Sequence, residues 1–253
     1  MAGGLGIGLF DRYSRHARVR PVLIAVLPVL LVFAAELSAW ADLRHLWVLI
    51  VLSGLPWLAE QMGRSRGKRL ESELFRAWGG APSVQLLRWR GPMNRTRLRH
   101  LRTNLQEIVG SSLRLPSEEE ERADPEAADE VYEAVGAVLR VRARALPGAE
   151  LVAIENREYG FRRNALGLRP VALATVAASL LAGALWSFAG PSREAPGSAA
   201  LLFAALAVNA GLLAFWTLLV RPPWVEQAAW TYAERLLETA VVPDGQEPLS
   251  HPA

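Results

Sequence analysis

Apolar and polar residues alternate along this chain in long blocks: charged, apolar, charged, apolar, charged. A helix needs about 20 apolar residues to cross a hydrocarbon core, and four segments approach that length. They are residues 22–41, which contain Pro28, then 43–59, 171–189 and 199–220. The second is short and would require local thinning of the bilayer. The connections near residues 41–45 and 190–198 are brief, so each pair reads as an antiparallel hairpin. The pattern therefore predicts an all-α integral membrane protein in which two transmembrane helical hairpins, four spans in all, flank a mostly helical cytoplasmic domain. Its divisions are a basic N-terminus (1–20), a first hairpin (21–59), a cytoplasmic domain (60–169), a second hairpin (170–220) and an amphipathic helix with a disordered tail (221–253).

The middle region reads as helices with clear stops. The second span should continue through residues 60–78 until Gly79-Gly80 ends it. Asn94 can cap a helix reaching Val109, with Leu98, Leu101, Leu105 and Ile108 on one face and Gly110 after it. Ser117 and Glu120 have capping-box spacing. Asp124-Pro125 starts another helix that places Val131, Val135, Val138 and Leu139 on one face and closes at Pro147-Gly148. Residues 84–89 and 151–154 are too short to assign and could be strands. Pro222-Pro223 opens a last amphipathic helix, to about Val241.

Charge gives the threading. Arg12, Arg15, Arg18 and Arg20 precede the first span. Arg64, Arg66, Lys68 and Arg69 follow the second, Arg157, Arg162, Arg163 and Arg169 precede the third, and Arg221 follows the fourth. The two hairpin connections hold only Arg44 and Arg193. Cytoplasmic loops carry the Lys/Arg excess, so both termini and the middle region are expected inside. The Arg- and Ala-rich composition suits a bacterial protein, and the expected location is the bacterial inner membrane. Tryptophans agree with this threading: Trp40, Trp47 and Trp186 fall at the outer interface, and Trp57, Trp216 and Trp224 at the inner one. A secretory leader ending at Ala39-Trp40-Ala41 is the competing reading. It is disfavoured by Glu36 and by the apolar segment that follows at once.

The absence of cysteine in 253 residues excludes disulfides, thiolate catalysis and Cys-ligated metals. No HExxH, G-x-S-x-G or Walker A pattern occurs, and His16, His45, His100 and His251 lack ligand spacing. Neither an enzyme nor a cofactor is expected. Within the middle region, residues 64–102 carry eleven basic side chains against Glu71 and Glu73, whereas residues 103–133 carry ten acids against Arg114 and Arg122. The two stretches should lie near each other and near anionic headgroups, each juxtamembrane arginine contributing about 1 kcal/mol of attraction. A basic groove for a phosphate-bearing ligand, with the acidic stretch competing, is the sharper alternative. Trp89 among arginines is compatible with base stacking, yet no nucleic-acid module signature appears, so nucleic acid is not favoured as a partner.

The densest chemistry lies at residues 155–164. Asn156, Tyr159, Phe161, Arg162, Arg163 and Asn164 are the candidate ligand- or headgroup-binding residues, with Gly160 permitting a turn. Within the spans, Asn209 should bond across to another helix, and Glu36 could pair with Arg44 or His45 or line a pore mouth or proton path. Ala174, Ala178 and Ala182, with Ala207 and Gly211, allow close approach within a hairpin or between copies. The expected partners are a bilayer with anionic headgroups, further copies of the chain and an anionic small molecule. In layout only, and with no motif residue matched, the chain resembles the small four-helix bacterial membrane effectors of nucleotide-signalling defence systems. Three functions fit: a ligand-sensing channel or membrane-disrupting effector, a scaffold or assembly subunit, and, least, a membrane enzyme or transporter subunit.

Overall fold

The computed structural model describes residues 15–37, 55–146, 148–189 and 198–241. Among these residues the protein is all-helical. We number the helices α1 (Arg20–Leu37), α2 (Leu55–Ala77), α3 (Pro82–Leu87), α4 (Arg95–Val109), α5 (Glu118–Ala123), α6 (Pro125–Ala145), α7 (Glu150–Ala189), α8 (Ser198–Ala214) and α9 (Pro222–Glu238). Two helices, α7 and α8 with its extension, hold stretches long and apolar enough to cross a membrane. The remaining two predicted spans are not matched in this way: 22–41 is described as helix only to Leu37, and most of 43–59 lies outside the described residues.

Helix limits follow local chemistry. Asn94 Oδ1 accepts from the Thr96 and Arg97 amides at 2.9 and 3.4 Å, satisfying donors with no partner inside the helix. Asp124 does the same for Ala127 at 3.0 Å, with Pro125 in the first turn of α6. Ser117 and Glu120 form the complete capping box. Gly79 and Gly80 end α2 at φ values of 81° and 128°, which side-chain-bearing residues rarely adopt. Of the two short stretches left unassigned, 84–89 is helical to Leu87 within α3 and then turns at Arg88 and Trp89, and 151–154 lies in the start of α7.

Two expectations change. Gly160 makes no turn: α7 runs unbroken for 40 residues, from well before the predicted third span, with Pro170 inside it. Every residue around Gly160 is helix-compatible, and one glycine costs a helix only about 1 kcal/mol. The buried face of α6 is Ala128, Tyr132, Val135, Gly136 and Leu139, while Val138 is exposed. Tyr132 takes the inward position because its hydroxyl finds buried partners there.

The chain forms two compact units, Met1–Glu71 with Gly160–Val225, and Ser72–Tyr159 with Glu226–Ala253. In the first unit α8 packs against α1. Thr175 of α7 donates to the Ala25 carbonyl of α1 at 2.6 Å. α7 approaches α8 where Gly183 faces Leu206. The predicted small-residue stripe does not make this approach, because Ala174, Ala178, Ala182, Ala207 and Gly211 are all exposed. In the second unit Leu87, Leu105, Val135, Leu139 and Leu236 form a core joining α3, α4, α6 and α9.

Candidate functional site

The predicted motif is divided between the two compact units. Tyr159 is buried and stacks on Tyr232 of α9, with ring centroids 6.2 Å apart, inside the second unit. Asn156 also belongs to the second unit, whereas Phe161, Arg162, Arg163 and Asn164 belong to the first. There Phe161 meets Trp224 edge-on at 6.0 Å. Arg162 lies over the Trp224 ring at 5.0 Å and donates to the Trp224 carbonyl at 3.0 Å. Arg163 pairs with Glu71 at 2.6 Å. Asn164 is buried and donates to the Ala17 carbonyl at 2.8 Å, and its Oδ1 has no hydrogen-bond partner among the described residues. Asn156 is half-buried on α7. Arg162, Arg163 and Asn164 thus fasten α7 to its neighbours.

Asn209 is fully buried, but it donates to Ala205 of its own helix at 3.0 Å rather than across to another. An asparagine amide reaches its own i−4 carbonyl easily, so no second helix is required. Its Oδ1 has no partner among the described residues. The Glu36 side chain and its predicted partners Arg44 and His45 lie outside the described residues. Trp216 is buried rather than set at the surface and meets Phe215 edge-on at 5.2 Å. A π-helical segment, Phe215–Leu219, follows α8. Arg169 donates to the Trp216 carbonyl at 3.0 Å and Arg221 to the Thr217 carbonyl at 2.8 Å, so two of the predicted inner arginines cap the end of this apolar helix.

The segregated charges of the middle region meet one another. Arg95 binds Glu118 through two bonds of 3.0 and 2.9 Å, Arg88 binds Asp129 through bonds of 2.8 and 2.6 Å, and Arg114 binds Glu120. The bond from Arg95 holds the Glu118 carboxyl below its ordinary pKa. The Ser117 amide, ahead of Arg114, does the same for Glu120. These pairs are exposed or half-buried, so they fix position more than they stabilise.

Beneath them lies a polar cluster that sequence reasoning missed. Arg102 is 7% exposed and donates to the Leu87 carbonyl at 2.9 Å, to the Tyr132 hydroxyl at 3.1 Å and to the Pro116 carbonyl. Tyr132 donates onward to Glu121 at 2.7 Å. Glu121 is 2% exposed and also accepts from the Trp89 and Arg90 amides at 2.8 and 3.3 Å. Two buried charges are thus joined through one phenol, which satisfies the requirement that buried ions be hydrogen-bonded. Burial, followed by the bond to Glu121, raises the Tyr132 pKa to about 12.

Above this cluster a groove of about 580 Å³ opens between α4 and residues 114–117. Trp89, Leu115 and Pro116 give it an apolar floor. Arg102 stands at its base, and Arg99, Arg114 and Glu107 stand around it. The Arg102 guanidinium lies 4.6 Å from the Trp89 ring centre, and Trp89 Nε1 donates to the Pro116 carbonyl at 3.2 Å. No protein family, curated protein or solved structure matches the chain. The groove is therefore read from its own chemistry. It holds fixed cations beside a flat apolar surface, and among the described residues no cluster of acids and histidines could hold a metal ion. The signal in the sequence was Trp89 among arginines, but which arginine turned inward was not readable.

Proposed function

We propose that this is a non-enzymatic, multi-pass bacterial inner-membrane protein whose cytoplasmic helical unit binds a ligand or partner and acts through its membrane helices. The observation that carries this reading is the bareness of its most apolar helix. The stretch Leu202–Leu219 has a mean hydropathy of 2.0, and only 17% of it is buried. A core helix of a water-soluble protein would be mostly covered. Here Phe203 is 72% and Leu218 66% exposed, and on α7 Leu181 and Leu185 are exposed as well. In water, each such side chain left uncovered forfeits roughly 1.5–3 kcal/mol of burial. A bilayer removes that cost. The capping arginines, Arg169 and Arg221, then lie at the cytoplasmic interface.

In this reading the segments 22–41 and 43–59 form the first hairpin, both termini lie in the cytoplasm, and several copies assemble into a channel or membrane-disrupting effector. Reporter fusions at Asp42 and Glu194 should read as periplasmic and one at Glu126 as cytoplasmic. Cytosolic signals at Asp42 and Glu194, or protein that stays dissolved without detergent, would overturn the assignment. Once insertion is established, conductance in liposomes tests the effector role. Its absence with every ligand tried would leave the scaffold reading in its place.

A further inference from the structure

We infer that the groove between α4 and residues 114–117 is a binding site for a small soluble organic anion that joins a flat apolar body to a phosphate or carboxylate head. This deepens the proposed ligand-binding role by naming the ligand's chemistry. A volume of about 580 Å³ lies within the range that accommodates small molecules. Its floor of Trp89, Leu115 and Pro116 offers an apolar surface for a ring.

The cationic side of the groove is fixed in advance. Arg102 is held by three acceptors and lies along the Trp89 ring, so its orientation costs nothing further on binding. Its buried counter-charge, Glu121, is reached through Tyr132 and does not line the groove. Arg99 is exposed and makes no ion pair among the described residues, which leaves its fork for an anionic head. Arg114 is paired with Glu120, so a ligand head would compete with that carboxylate for it. Glu107 is the single acid in the lining and repels the same head. Arg102 and Arg114 are already answered by Glu121 and Glu120, and Arg99 supplies the uncompensated charge; together around an apolar floor the three guanidinium groups complement an amphipathic anion. They do not complement a cation or a neutral apolar molecule.

The test uses the full chain in phosphatidylcholine nanodiscs, titrated calorimetrically with naphthyl phosphate and, separately, with naphthoate as the carboxylate counterpart. Naphthol and inorganic phosphate, each carrying half of the proposed recognition, serve as separate arms. Saturable binding of naphthyl phosphate is expected, with both halves weaker by about tenfold or more. Arg99→Ala should weaken binding by about tenfold through loss of a charge-assisted bond. Glu107→Gln should tighten it, and high salt should weaken it. Both positions are exposed, and circular dichroism verifies that the variants fold. The inference is overturned if naphthyl phosphate and naphthoate both fail to bind at millimolar concentration. Affinity unchanged in both variants would also overturn it. So would loss of binding in nanodiscs containing phosphatidylglycerol, because the groove would then belong to lipid headgroups. Binding is read without conductance, so the groove and the effector role can fail independently.

Discussion

Tyr132 bridges the buried Arg102 and Glu121. Its hydroxyl accepts from the first and donates to the second, and all three side chains are under 8% exposed. Tyr132→Phe keeps the ring and removes both bonds, at a cost of about 1–3 kcal/mol from the two polar groups left underserved. The variant also carries a pH signature. The folded pKa of about 12 lies above the ordinary 10, so the folded state holds this proton more tightly than the unfolded chain. The corresponding stability is fully present below the ordinary value and is lost as pH rises through the folded one. Denaturant midpoints of the solubilised protein, taken near neutrality and then between the two pKa values, should fall for the native chain and change less for Tyr132→Phe. Equal alkaline losses in both proteins would remove Tyr132 as the cause.

At the scale of elements, the helices were legible where one residue determines a boundary. Asn94, Ser117, Asp124 and Gly79-Gly80 each satisfy or release backbone groups locally, and the observed ends fall at them. What was not legible depends on contacts far apart in sequence. Gly160 carries no local sign that it is buried within a 40-residue helix. Periodicity placed Val138 inward because it weighs apolarity alone, whereas Tyr132 won that face through partners 11 and 30 residues away. The predicted motif at 155–164 was polar enough to suggest a ligand, yet Arg162, Arg163 and Asn164 bond within the chain. A pattern cannot distinguish a residue that awaits a ligand from one that fastens a helix. The crossing of α2 and α7 shows this fastening most closely. A Cβ on Gly167 would sit 2.9 Å from the Gly67 amide nitrogen and 3.3 Å from the Arg66 carbonyl carbon, both backbone atoms that no rotamer change can move. Gly167→Ala should therefore force the helices apart and destabilise the first unit by about 1–3 kcal/mol. Gly211→Ala has open space around it and serves as the control. Thermal aggregation in detergent should separate the two variants, and equal midpoints would mean that the crossing yields without cost.

The whole molecule constrains how any conduction could occur. The described parts of the apolar stretches hold few polar groups, and those are buried or bonded to the backbone of their own or a neighbouring helix, as Thr217 is to Leu213 and Ala214. Asn209 and Ser179 are buried, and Thr175 is bonded to Ala25 and to Ala172 of its own helix. The exposed residues within 171–185 and 202–219 are leucine, valine, alanine and phenylalanine, with Gly211. Moving an ion past such a surface, with no polar lining, is opposed by the large cost of desolvating a charge. One copy therefore offers no continuous polar path among its described residues. If the proposed effector conducts, its pathway must form between copies, where residues such as Ala174, Ala178 and Ala182 permit close helix approach. Conductance in liposomes should then rise more steeply than linearly with the protein-to-lipid ratio. Cross-linking in the same vesicles should reveal oligomers at the ratios where current appears. A linear dependence, with only monomer cross-linked, would place the path inside a single chain. That result would contradict the lack of a continuous polar path among the described residues of one copy, and would leave the exposed apolar surface, and the membrane reading argued from it, in place.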